Sequence, residues 1–320
     1  MKKIISLFLV LIMLLSITAC SGQQADAGTS SIVSNNNRNI FITEDNGNIY
    51  FSCGDAVKKM SKADDTVTDI YVAESEDAYP RDIQCLDGRL YWFAKNRILY
   101  SSDTDGNNLK QADISFYRTE NIPDMWGLPS FYTYNGILYL VSGYTLIPYC
   151  INQDTLALER AENDIRFMYI AEDGSKYNAK ARFYKNDGDE KITLSPEVGG
   201  SLLYNRINYS QDYIFFAFVE TSDNPKATLY RVDTSGENKI AVKDFNIDEQ
   251  CDLQYDNRYV YLKAENSFIR IDKHTLEQKD ITDIVNPYEH TYDVADGKFF
   301  QLLEAPAYYI DVGTGIKTDI

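Results

Sequence analysis

From Ile40 to the end of the chain, apolar residues fall in short runs of two to five, and polar or glycine-containing turns separate them. The stretch Arg81–Gly106 shows the pattern most clearly. It holds Ile83-Gln84-Cys85-Leu86, then Asp87-Gly88, then the aromatic run Leu90-Tyr91-Trp92-Phe93, then Ile98-Leu99-Tyr100, and it ends on Asp103-Thr104-Asp105-Gly106. Runs of this length, rich in β-branched and aromatic residues and bounded by Asn, Asp and Gly, predict strands. A 3.6-residue period is essentially missing, so helices are not expected.

The pattern repeats. Aligned on the turn between the first two predicted strands, the units carry Asn46-Gly47, Asp87-Gly88, Asn135-Gly136, Asp173-Gly174, Gln211-Asp212, Asp256-Asn257 and Asp296-Gly297, at intervals of 38 to 48 residues. Asn-Gly and Asp-Gly suit two-residue hairpins because both positions accept positive φ at low cost. Five residues before the second member of each turn stand Ile42, Ile83, Phe131, Tyr169, Ile207, Asp252 and Tyr292, all but Asp252 apolar or aromatic. Aromatic-rich strands follow the turns, as in Ile49-Tyr50-Phe51 and Ile214-Phe215-Phe216. A third strand runs into an acid-marked turn at Asp103, Asp233, Asp272 and Asp311, and a short fourth strand closes the unit, as at Val67–Val72.

Four strands per repeat of about 40 residues is the signature of a propeller blade, whose two faces are buried only when blades stack in a ring. The expected fold is all-β, a seven-bladed β-propeller of four-stranded antiparallel blades. Merging the weak fourth unit, Gly174 to Gln211, with its neighbour would give six. Ile40–Asp45 reads as a first strand and Gly315–Ile320 as a last one, so the ring closes in sequence order or with one exchanged strand. Gly88-Arg89-Leu90-Tyr91-Trp92, the later Leu99-Tyr100 with Asp103, Asp105 and Gly106, and Leu229-Tyr230-Arg231-Val232-Asp233 resemble the YWTD-type propeller repeat of low-density-lipoprotein-receptor relatives, in the form found in bacterial surface lipoproteins. The resemblance covers about Ile40 to Ile320. Phe93-Ala94 stands where that family has Thr-Asp, so no ligand of the family carries over.

The first residues have a different grammar. Lys2 and Lys3 precede an apolar run from Ile4 to Ile17, and Ile17-Thr18-Ala19-Cys20 follows. A run of this length ending on small residues reads as a secretory signal rather than a membrane span. Its end resembles a bacterial lipobox, which implies cleavage before Cys20 and lipidation of its thiol. Two or three acyl chains, at about 0.8 kcal/mol per buried methylene, hold a protein to a membrane durably. Ser21–Asn39 is small, polar and aperiodic, a flexible tether. The expected organisation is thus residues 1–19 as signal peptide, 20–39 as lipidated Cys20 and tether, and 40–320 as one propeller domain, extracytoplasmic and lipid-anchored to the cell membrane.

Charge narrows the partners. Without residues 1–19 the chain has 29 basic and 48 acidic residues. A net of −19 disfavours nucleic acid and leaves the lipid anchor as the membrane contact. Basic peptides and neutral sugars remain compatible. Cys53, Cys85, Cys150 and Cys251 lie far apart without a C-x-x-C pair, so they suggest neither a zinc nor a redox centre. Either Cys53 pairs with Cys85 in a neighbouring repeat or all four pack as small hydrophobes.

Candidate chemistry gathers in the segments that precede each first strand, because such blade-to-blade links crowd around the channel on one face of a propeller. They contain Tyr79 and Arg81, Trp126 within the long insertion Ser115–Phe131, Arg206, and Tyr288 with His290. Aromatic rings with a few cations suit a sugar, a peptide or a small anion. Asp103-Thr104-Asp105-Gly106 begins like a calcium loop but lacks the completing downstream Glu, and Asn186–Glu190 is similarly acidic. Both read equally as hairpin turns, so no metal site and no cofactor is expected. With only two histidines and no hydrolase motif, the chain reads as a ligand- or protein-binding module whose partner is an extracellular protein, peptide or glycan. The alternatives are a glycan- or peptide-directed enzyme using channel-face carboxylates, and a structural subunit gripped by its blade rims.

Overall fold

A computed structural model describes residues 41–320 apart from 46, 95–97, 115–128, 135–136, 143–147, 162–167, 171–175, 180–182, 188–189, 197–199, 210–211, 222–225, 248–250, 257, 265, 286–292 and 303–305. These residues form seven four-stranded antiparallel sheets, each built from four consecutive strands. Blade 1 comprises β1 (Ile42–Glu44), β2 (Asn48–Cys53), β3 (Ala56–Ser61) and β4 (Val67–Val72). Blade 2 comprises β5 (Pro80–Leu86), β6 (Arg89–Ala94), β7 (Ile98–Asp103) and β8 (Lys110–Asp113). Blade 3 runs through β9 (Pro129–Tyr134), β10 (Ile137–Ser142), β11 (Pro148–Ile151) and β12 (Leu158–Arg160), and blade 4 through β13 (Met168–Ile170), β14 (Lys176–Ala179), β15 (Phe183–Asp187) and β16 (Glu190–Thr193). The long strands belong to blade 5: β17 (Gly200–Tyr209), β18 (Tyr213–Glu220), β19 (Lys226–Asp233) and β20 (Ile240–Asn246). Blade 6 has β21 (Asp252–Tyr255), β22 (Tyr259–Ala264), β23 (Ser267–Asp272) and β24 (Gln278–Asp280), and blade 7 has β25 (Asp293–Ala295), β26 (Lys298–Gln301), β27 (Tyr308–Asp311) and β28 (Lys317–Asp319).

The fold is a β-propeller, and the sheet count fits seven blades rather than six. The weak fourth repeat forms its own sheet. No strand is exchanged between the ends: β1 pairs within blade 1 and β28 within blade 7. The ring closes through side chains instead. Ile42, Phe51 and Met60 of blade 1 share a buried cluster with Phe300, Leu302 and Tyr309 of blade 7, and the rings of Phe51 and Phe300 lie 5.5 Å apart.

Each blade goes up, down, up and down, which divides the turns between two ends of the ring. At one end lie the turns joining first to second and third to fourth strands. At the other lie the second-to-third turns and the blade-to-blade links. We call these the hairpin end and the link end. Asp87-Gly88 and Asp296-Gly297 have the paired positive φ values expected of them, 49° and 72°, and 48° and 72°. In blade 6 the turn sits one residue later than its sequence suggests. The Asp256 amide donates to the Tyr259 carbonyl (3.1 Å), so the turn follows Asp256, which caps it. Asp256 Oδ1 accepts from the Arg258 and Tyr259 amides, and Oδ2 from Tyr261 Oη at 2.6 Å. Asp45 repeats this with the Gly47 and Asn48 amides and Tyr50 Oη.

Adjacent blades are stitched at the hairpin end by one recurring position, two residues before the first residue of the third-to-fourth turn. Lys59 donates to Asp105 (2.7 Å), Arg231 to the carbonyls of Lys273 and His274 (3.1 and 2.9 Å), and Tyr309 to Asp65 (3.1 Å). In all three cases the acceptor lies in the corresponding turn of the next blade, and the last crosses the ring closure. The stitch requires close approach. A Cβ on Gly106 would sit 2.2 Å from the Ile70 carbonyl oxygen of blade 1, and Gly106 has φ +82°. Gly106→Ala should therefore cost about 2–3 kcal/mol, by backbone clash added to positive-φ strain. Gly88→Ala, with φ +72° and open space around it, should cost only about 1 kcal/mol. Urea denaturation followed by circular dichroism compares the two, and equal losses would mean the blades do not meet at Gly106.

Candidate functional site

Inner strands build the site. β1 packs against β5 on one side and β25 on the other, so blades 2 and 7 meet the channel on either flank of blade 1. Asp82 lies near the start of β5, toward the link end, and Asp293 of β25 stands two residues nearer the hairpin end, level with Gln84 of β5. Two observations single out Asp82. It has φ +42°, unusual for a residue with a side chain. The β5–β6 register also slips there: Arg81 pairs with Phe93 and Gln84 with Tyr91, so Asp82 and Ile83 together face Trp92. This one-residue β-bulge turns the strand and re-aims a side chain that regular alternation would place elsewhere.

Asp82 and Asp293 are surrounded by protein and keep only partial exposure. Loss of hydration raises the Asp82 carboxyl to about 8; the Arg81 guanidinium opposes the rise and the Asp293 charge adds to it. Burial alone lifts Asp293 to about 7. Both carboxyls thus hold protons near neutral pH and can give them up to a cation that replaces them.

The hairpin end carries a different set of charges. Glu44, at the end of β1, is raised to about 7 by burial, while Lys62, whose Nζ lies 2.8 Å from Glu44 Oε2, pulls it down. Lys273 is buried at 1% exposure and donates to Asn208 Oδ1 (2.7 Å) and the Asp256 carbonyl (2.6 Å). Burial lowers it to about 8 against the pull of Asp256 and Glu44. Lys273 thus bridges blades 5 and 6.

Of the residues expected at the link face, Tyr79 and Arg81 are exposed there, beside Asp82. Arg206 is a position in β17, within the irregular stretch between Leu202 and Ile207 where the pairing with β18 slips. Trp126, Tyr288 and His290 fall outside the described residues, as does Cys20. Asp82, the residue after Arg81, and Asp293 are not among the residues expected at the link face. The turn acids are accounted for locally: Asp103 accepts from the Asp105 and Asn107 amides and from Asn108 Nδ2, while Asp105 pairs with Lys59. That is a capped turn rather than a calcium loop. Asn186–Glu190 spans the β15–β16 hairpin, with Asp187 opposite Glu190. Cys53, Cys85, Cys150 and Cys251 are all free thiols, which excludes the Cys53–Cys85 pair.

No protein-family model matches the chain, and no curated protein matches it. Similarity to solved structures is extensive in shape and low in sequence. A puromycin hydrolase S511A mutant complexed with PGG aligns with TM-score 0.50 at 10% identity, over 88% of this chain and 53% of that one. The present chain therefore spans about half of that hydrolase. YCF48 bound to D1 peptide aligns with TM-score 0.47 at 8% identity, covering 84% of this chain and 88% of that one. A nidogen/laminin complex gives TM-score 0.38 at 8% identity, over 85% and 92%. At these identities the likeness concerns the fold and leaves activity to the site.

Proposed function

We propose that this chain is a lipid-anchored, extracytoplasmic binding module that takes a cationic group of a peptide or protein at the link end of its channel. The pairing of Asp82 with Asp293 on the inner strands flanking β1 carries the reading. Among the described residues Arg81 is the one cation set against these carboxyls, and the chain is strongly acidic. An ammonium or guanidinium would recover the interaction that burial denies these groups. Tyr79 and Arg81 would flank it at the rim.

Binding should release protons, because the ligand favours the ionised carboxylates. Affinity for a short Lys- or Arg-bearing peptide should therefore rise between pH 6 and 8.5. Calorimetry in two buffers of different ionisation enthalpy would detect the released protons. Thermal unfolding against basic peptides, wall fragments, oligosaccharides and calcium identifies the class, since a ligand at 100 times its Kd stabilises by about 2.7 kcal/mol. A response to basic peptides that survives Asp82→Asn with Asp293→Asn would sink the site.

A second reading rests on the same two groups. A carboxyl that keeps its proton to about 7 or 8 is a competent general acid, and a partner carboxylate can serve as base. Turnover of a glycan or peptide by the wild type, abolished by Asp82→Asn, would favour an enzyme over a binding module.

A further inference from the structure

The strand order places the origin of the anchor. β1 is the inner strand of blade 1 and begins at the link end, so the chain meets the propeller next to the channel, between β5 and β25. Phe41, the residue before β1, packs in the blade 1–blade 7 cluster and fixes that point. Phe41 thus enters the propeller near the middle of the link face and not at its rim.

We infer that the link face, with Tyr79, Arg81 and Asp82, is the membrane-facing side of the propeller. The inference rests on the lipid-anchor reading of Cys20. Whatever its conformation, the chain from Cys20 to Phe41 spans at most about 70 Å. A random-coil chain of that length averages about 25 Å end to end. A globule of this size has a radius of about 24 Å. Turning the hairpin end to the membrane would require the segment to cross the face from axis to rim and then run down the wall. An eight-residue strand such as β18 is about 26 Å long, so that path is roughly 50 Å. Keeping the link face down needs no such extension, so chain entropy biases the body. A ligand for Asp82 and Asp293 is then presented from the membrane side, and the capped turns of the hairpin end look outward.

The test uses the full-length lipidated chain reconstituted in vesicles, in a Cys53→Ser background. A fluorophore is placed on exposed Glu74→Cys, in the link after β4, or on exposed Glu237→Cys, in the third-to-fourth turn of blade 5. Vesicles contain lipid with a nitroxide-bearing headgroup. Quenching of the Glu74→Cys probe should exceed that of the Glu237→Cys probe severalfold, and about 40 inserted Gly/Ser residues between Ser21 and Asn39 should erase the difference. Equal quenching at both positions before insertion, with the protein still floating with vesicles, would overturn the orientation alone. If Cys20→Ser floats with vesicles as the wild type does, or neither floats, the lipid-anchor reading fails and takes the orientation with it.

Discussion

Trp92→Ala should destabilise the propeller by about 4 kcal/mol, near the middle of the range for emptying a buried aromatic site. The side chain has 0% exposure and stands at the contact of blades 1 and 2. Its ring stacks on Tyr100 of its own blade, with centroids 5.6 Å apart and planes 5° off parallel. It also meets Tyr71 of blade 1 at 5.1 Å and 52°, and Tyr71 in turn lies 5.5 Å from Tyr100, so the three rings form a triangle. Tyr50 and Val57 from blade 1 and Ile83 and Cys85 from β5 complete the cluster. Ala would leave a cavity that two rigid sheets cannot collapse to fill. Trp92→Phe should cost far less, about 1–2 kcal/mol, because one ring still spans the gap. No hydrogen bond is lost with the indole, since Nε1 has no acceptor among the described residues. Urea unfolding read by far-ultraviolet circular dichroism separates the two variants. A loss below about 1.5 kcal/mol for Trp92→Ala would mean that these blades do not pack closely.

Much of this architecture is legible in the chain because its elements are local. Aromatic runs and Asx-Gly turns depend on neighbours two to five residues away, and the seven strand quartets follow from them. Even the one irregular position has a local explanation. Asp252 breaks the apolar column only because the blade 6 turn is set one residue early; moved one residue on, the column reads Leu253, which is fully buried. The next column then reads Thr43, Gln84, Tyr132, Ile170, Asn208, Gln254 and Asp293, a polar layer on the inner strands in five of the seven blades. That layer was the available signal for Asp293. Asp82 had none, because the β5 bulge that re-aims it breaks the alternation by which a strand's inward positions are read. The stitching position was also hidden: Lys59, Arg231 and Tyr309 differ in chemistry and share only a place and an acceptor turn.

Stability should peak near pH 4 and fall as the pH rises to 8, by something on the order of 4 kcal/mol. Two sets of carboxyls act in opposite windows. At the turns, hydrogen bonding from Thr66 holds Asp64 below the ordinary range, and bonds to the Thr282 hydroxyl and amide do the same for Asp280. Burial works against Asp103 and Asp272, but amides of their own turns outweigh it and hold them low as well. Folded states with such groups bind fewer protons than unfolded ones, so their contribution is present above about pH 4 and is lost as the pH falls through their lowered values. In the ring interior the sign reverses. Asp82, Asp293 and Glu44 hold their protons to about 8, 7 and 7, because burial outweighs the cations beside Asp82 and Glu44. Between about pH 4 and 8 the folded state keeps protons that the unfolded chain has released. Stability therefore falls through that window. At about 1.36 kcal/mol per unit the full shifts would give more, but solvent screens the partly exposed Asp82 and Asp293. Asp82→Asn with Asp293→Asn removes two of the three groups and should flatten most of the decline, leaving the acid side unchanged. Melting temperatures of wild type and double variant from pH 3 to 8 decide the matter. A wild-type curve that rises steadily to pH 8, or a double variant with the same decline, would show that these carboxyls are ionised in the folded protein at neutral pH. The proton release expected on binding a cationic ligand would then vanish too, since it draws on the same two protons.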